Sequence, residues 1–184
     1  MIRAGFGRRV ITPEVGSDMP GQIQKQISLG VHDDLLATVM VLDDSDTQLV
    51  LAGIDALSVK RSTVLKAREQ IEAATGIPAG HVLVAASHTH HGGPTADVFM
   101  SESGSAYCDW VAEQIAQAAI EAYVKREEVS LIVGAGEEGS VAFNRRFRMK
   151  DGSEQTHPGK GNPDIVRVAG PIDPMVGVIG AVTG

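Results

Sequence analysis

The chain has 184 residues, 43% of them hydrophobic and 21% charged, with a formal net charge of −7. That length and composition fit one globular domain, or a large piece of one, and exclude wholesale disorder. The acidic balance speaks against a nucleic-acid partner, whose phosphates need a basic surface. No apolar run is long enough to span a bilayer. The start, Met1-Ile2-Arg3-Ala4-Gly5, lacks the apolar core of a signal peptide, so the sequence reads as cytoplasmic, or as secreted if the N-terminus is incomplete. A single cysteine, Cys108, excludes an internal disulfide and a cysteine-rich metal cluster. The six histidines are then the obvious place to look for metal chemistry.

Taken in chain order, short branched-aliphatic runs predict strands at 37–42, 48–53, 82–86, 130–134, 165–168 and 175–182. Asp43-Asp44-Ser45-Asp46 reads as the hairpin turn between the first two. The 82–86 run has no polar alternation and predicts a central strand covered on both faces. A first helix is predicted over 62–75, with Val64, Leu65, Arg68 and Ile71 at helical spacing, Gly76 as its stop and Pro78 forbidding continuation. A second, over about 105–126, carries Tyr107, Val111, Ile115, Ala118 and Ala122 on one face, with Cys108 as packing. Segments 16–30 and 147–163 read as long, polar, glycine-containing loops. Alternating strands and helices predict an α/β protein with a mixed β-sheet and flanking helices.

The most informative stretch runs from Val82 through Ser87-His88-Thr89-His90-His91-Gly92-Gly93-Pro94. Residues i and i+2 of a strand share a side, so His88 and His90 can aim at one point. Neutral imidazole suits Zn2+, and a catalytic zinc takes about three protein ligands plus a water. The end of a strand is where ligands collect in α/β sheets. Gly92 and Gly93 would let the backbone approach a substrate, as amide donors to an oxyanion. His91 points the other way in this reading. Other HxH groups fit less well. A metallo-β-lactamase-like site wants an Asp where Gly92 stands, and an amidohydrolase barrel carries its HxH on the first strand.

The flanking segments add a resemblance. Val10-Ile11-Thr12-Pro13, Gly30-Val31-His32-Asp33-Asp34-Leu35-Leu36-Ala37, Asp55 after a strand, Gly76-Ile77-Pro78, Ser87-His88-Thr89-His90, Asn144-Arg145 and the 166–178 segment with Asp173 follow one another. In this order they resemble the N-terminal part of the neutral/alkaline non-lysosomal ceramidases. The resemblance implies a zinc-dependent amidase cleaving the N-acyl bond of ceramide-like lipids. It implies that His88 is a zinc ligand and that His90 ligates the metal or lines its site. It implies that Arg145 binds substrate or developing negative charge, and that Asn144 helps position it.

This sequence departs from the family pattern at His91, at the extra glycine before Pro94 and at Arg146. Those departures leave room for another small amide or ester as substrate. Family members run to several hundred residues, with further ligands downstream. The chain is therefore expected to be incomplete relative to the full catalytic domain, weak or inactive alone, and prone to self-association through uncovered sheet. His32, after a glycine and before two acids, is a candidate substrate contact or a turn residue. Asp55 could orient a ligating imidazole or start a turn. Of the basic cluster at 144–148, Arg145 reads as functional and the rest as solvated surface. Two alternatives stand beside the amidase: a metal-dependent hydrolase of another, soluble substrate, and a non-catalytic metal-binding or interaction domain.

Overall fold

The acidic turn closes where the sequence places it. Asp43 Oδ1 accepts from Ser45 N (2.9 Å), and Asp44 Oδ1 accepts from Thr47 N (2.7 Å). These local bonds reverse the chain between β2 (Leu36–Asp43) and β3 (Gln48–Ile54), which pair antiparallel from Asp43↔Gln48 to Ala37↔Ile54. The computed structural model describes all 184 residues, Met1–Gly184. It divides into two units: Met1–Ser130 with Thr183–Gly184, and Leu131–Val182.

The first unit is a five-stranded mixed sheet with two helices. β1 (Arg3–Val10) lies antiparallel to β2, β4 (Val82–Ala86) lies parallel to β3, and the short β5 (Glu127–Glu128) pairs with β1. The strand order is β4-β3-β2-β1-β5. The helices α1 (Arg61–Thr75) and α2 (Ser105–Val124) bear on the residues of one face, where Val39, Val41, Val50, Val111, Ile71 and Ile115 are fully buried. Each such aliphatic side chain contributes about 1.5–3 kcal/mol by leaving water. Gly76 ends α1 at φ +77°, its N–H donating to Glu72 O (2.9 Å). The inward face of α1 is Thr63, Ala67 and Ile71; of the residues that gave the helical spacing, Ile71 is buried and Leu65 is exposed.

Two expectations differ from the structure, and one strand was not expected. First, β4 is an edge strand, with Leu83 and Ala85 exposed, rather than a central one. Its unbroken apolar run reflects packing on one face and an uncovered apolar face on the other. Second, β1 carries no branched-aliphatic run, so nothing in its composition announced it. Gly5 and Gly7 are there for close approach: a Cβ at either would sit 2.0 Å from the carbonyl oxygen of Ala122 or Ala118 on α2. Third, the 147–163 segment is not structureless. It holds part of β7 (Arg146–Met149) and all of β8 (Glu154–Thr156).

The second unit has two small sheets. One pairs β6 (Ser130–Glu137) with β10 (Met175–Val182); the other has the order β8-β7-β9, with β9 at Ile165–Val168. No helix of the chain is long and apolar enough to cross a membrane.

Candidate metal half-site

The parallel strands β3 and β4 end side by side, and the site grows from their carboxyl ends. Ser87 N donates to Ile54 O (2.9 Å), extending the pairing by one bond. The strand geometry then stops: His88 adopts φ +63°, a left-handed conformation uncommon for a residue with a Cβ. The shared direction of His88 and His90 therefore does not come from strand alternation, as the sequence suggested. It comes from this backbone reversal, which carries both rings to one side in a turn. His88 Nδ1 lies 2.8 Å from Leu57 O on the segment after β3. A carbonyl oxygen can only accept, so Nδ1 is the donor, which leaves Nε2 of the neutral ring as the atom able to ligate a metal. His90 Nε2 stands 3.5 Å from His88 Nε2, with the rings edge-on at 84°.

Two nitrogens bound to one tetrahedral zinc lie about 3.4 Å apart, given Zn–N bonds of about 2.0–2.1 Å. The observed spacing and the fixed tautomer of His88 both fit that requirement. The fit covers two ligands: no group of three His, Cys, Asp or Glu comes together in the chain. Asp55, a candidate for orienting an imidazole, accepts instead from Leu36 N (3.0 Å) and so ties the end of β3 to the start of β2. Leu57 O orients His88 in its place, a role that no side-chain pattern could announce.

The 16–30 loop reaches the pair at His90. At Gly21 (φ +118°) a Cβ would lie 2.8 Å from the ring of His90, so only glycine lets the loop approach. Asp18 anchors the loop, accepting from Ser101 Oγ (3.0 Å) and Glu102 N (3.3 Å) and pairing with Lys25 (3.2 Å). Burial pushes the Asp18 carboxyl up, but the bonds from Ser101, Lys25 and Glu102 outweigh this and hold its pKa below the ordinary value. The two early sequence blocks also meet: Thr12 Oγ1 donates to Asp34 Oδ1 (2.9 Å) and accepts from Leu35 N (2.9 Å).

Beside the pair is a cavity of about 360 Å³, lined in part by Met19, Val31, Leu35, His32, His91 and Gly92. His32 is at its rim, 97% exposed, with Nδ1 2.7 Å from Asp33 Oδ2. Gly92 and Gly93 are buried, and Gly93 lies against the ring of Tyr107. The helical pattern marks Tyr107 only as a residue of the packed face; its hydroxyl also donates to Ile11 O (2.5 Å) and fixes α2 to the segment that lines the cavity. Burial raises the Tyr107 hydroxyl far above its usual pKa, so it acts as a fixed donor. Cys108 is buried, with burial raising its thiol.

Asn144 and Arg145 belong to the second unit. Asn144 Oδ1 accepts from Arg146 N (2.9 Å) and its Nδ2 donates to Pro171 O (3.3 Å), which shapes the turn before β7. Arg145 is exposed.

No protein-family model matches this chain, and no curated protein sequence matches it. Solved structures do. Neutral ceramidase from Pseudomonas aeruginosa superposes with a TM-score of 0.71 at 21% identity, over 98% of this chain and 29% of that one. A ceramidase complexed with C2 gives the same values. The chain thus spans 29% of the length of these ceramidases, and over that length it has the neutral ceramidase fold.

Proposed function

We propose that the chain contributes to a zinc-dependent hydrolase that cleaves the N-acyl amide bond of ceramide-like lipids or of a related small amide. The observation that carries this reading is the His88–His90 pair, with Nε2 atoms 3.5 Å apart at the carboxyl ends of parallel strands in a ceramidase-like fold. His88 and His90 would hold the metal. Bound there, zinc would supply Lewis acidity toward a carbonyl oxygen and a water of near-neutral pKa.

The chain's own residues do the rest. Leu57 O keeps His88 in the ligating tautomer. Gly21 and the anchored loop shield His90 from bulk water on one side. The apolar wall of Met19, Val31 and Leu35 favours an acyl group over a charged one, with His32 at the rim to contact substrate. The Gly92–Gly93 backbone is assigned to the developing oxyanion.

Cobalt(II) titration followed by visible absorption tests the metal site. Weak binding is expected, as for two imidazoles, with loss of the spectrum in both His88→Ala and His90→Ala. Binding unchanged in both variants would reject the site. Metal-loaded protein is then offered an N-acyl sphingosine, a simple N-acyl amide and an ester. Slow amide cleavage that disappears in His88→Ala is expected; cleavage of the ester alone would reject the amidase reading.

A further inference from the structure

We infer that the three-stranded sheet of the second unit carries a phosphate-binding face built from Arg146, Arg148 and Arg167. Arg146 and Arg148 are two apart on β7 and share a face. On β9, Arg167 is the direct cross-strand partner of Arg148. Like charges placed opposite one another weaken a sheet, and here they sit at a register shift between Arg148 and Met149. Bulges of this kind re-aim side chains and gather near functional sites.

One carboxylate serves the face. Glu154, opposite Arg148 on β8, lies 3.4 Å from Arg148 Nε and 4.0 Å from Arg146 Nη1. Arg167 reaches only the carbonyl of Val168 (3.3 Å). The neighbouring Asp164 is engaged with Lys150 (3.6 Å). Three guanidiniums against one carboxylate leave about two positive charges unanswered. Thr156, opposite Arg146, adds a hydroxyl to the same face. All of this belongs to a protein of net charge −7. Guanidinium forks match phosphate oxygens in pairs, which makes a phosphate group the fitting ligand.

The chemistry is shared by a free polyphosphate and an anionic lipid headgroup, and the test separates them. Inorganic pyrophosphate is titrated into the full chain by calorimetry at constant ionic strength set with chloride. In parallel, the chain is sedimented with phosphatidylcholine vesicles, with and without phosphatidylglycerol. Binding is expected to weaken about tenfold in Arg148→Gln and in Arg167→Gln.

Arg167→Gln also removes the like-charge opposition. It should therefore slow hydrogen exchange at Ala169 N–H, which donates to Arg146 O across β7 and β9 (2.8 Å). Glu154→Gln should tighten binding several-fold, a gain that misfolding could not produce. Vesicle binding that needs phosphatidylglycerol assigns the lipid headgroup; pyrophosphate binding alone assigns a free phosphate. No binding beyond the chloride control, or equal binding by wild type, Arg148→Gln and Glu154→Gln, would overturn the inference.

Discussion

His88 Nε2 and His90 Nε2 stand 3.5 Å apart although β4 ends at Ala86, because His88 turns the chain at φ +63°. The left-handed backbone costs a residue with a Cβ about 1–2 kcal/mol. His88→Gly and His88→Ala both lose the imidazole and its bond to Leu57 O, so the difference between them isolates the backbone term. The glycine variant is expected to be more stable than the alanine variant by about 1 kcal/mol in urea unfolding. Equal stabilities would mean that the turn relaxes once the imidazole is gone.

The Gly7–Ala118 approach of β1 to α2 predicts a damaging small substitution in the first unit. A Cβ at residue 7 meets a backbone oxygen, which cannot rotate away. Gly7→Ala is expected to destabilise by at least about 1–3 kcal/mol, the ordinary cost of overpacking. Gly53→Ala, in the same sheet with open space around its Cβ, is expected to be neutral or mildly stabilising. The urea midpoints of the two variants check this.

What the sequence disclosed and what it hid follow one physical line. Elements driven by side-chain pattern were legible: the Asp43–Asp46 turn, the strands Val82–Ala86 and Ile165–Val168, and the α2 face through Val111 and Ile115. The paired histidines were legible because two ligand-type residues at close spacing announce themselves. Features that rest on the backbone were hidden: β1 with its glycines, the φ of His88, and Leu57 O as the orienting group. The edge position of β4 was hidden too, since an apolar run says nothing about whether both faces are covered in this chain.

Those uncovered faces give a third prediction. Register aligns Phe6, Met40, Leu51 and Leu83 in one row across four strands, on the face away from the helices. Phe6 is 52% and Leu83 57% exposed. Such a surface binds apolar dyes and favours association. Lysine at both positions (Phe6→Lys with Leu83→Lys) is expected to lower anilinonaphthalene sulfonate fluorescence severalfold. Because both side chains are already half in water, the change should alter stability by less than about 1 kcal/mol. Undiminished dye binding would place the exposed apolar surface elsewhere.

The buried pair of Asp43 and Arg126 sets the acid limit of the fold. Both side chains are over 90% buried, and together they join the β2–β3 turn to the end of α2. Burial alone would raise the Asp43 carboxyl. The bonds from Ser45 N and Gln48 and the charge of Arg126 more than reverse that, so its folded pKa lies below the ordinary value of 3.8. Glu121, bonded to Lys125 and Arg9, is likewise lowered, from 4.5 to about 2.

A lowered carboxylate pKa stabilises the fold fully above the unfolded-state value, and the contribution is lost as pH falls through the folded one. Urea midpoints are therefore expected to be flat above pH 5 with respect to these groups, and to fall steadily between about pH 4.5 and 2. Arg126→Met leaves the Asp43 charge buried without its partner and should cost about 3 kcal/mol at pH 7. Much of that cost should vanish near pH 3, where Asp43 in the variant can take up a proton. A loss independent of pH would show that Arg126 acts through packing on Tyr123, whose ring centre lies 3.7 Å from its guanidinium carbon, rather than through charge.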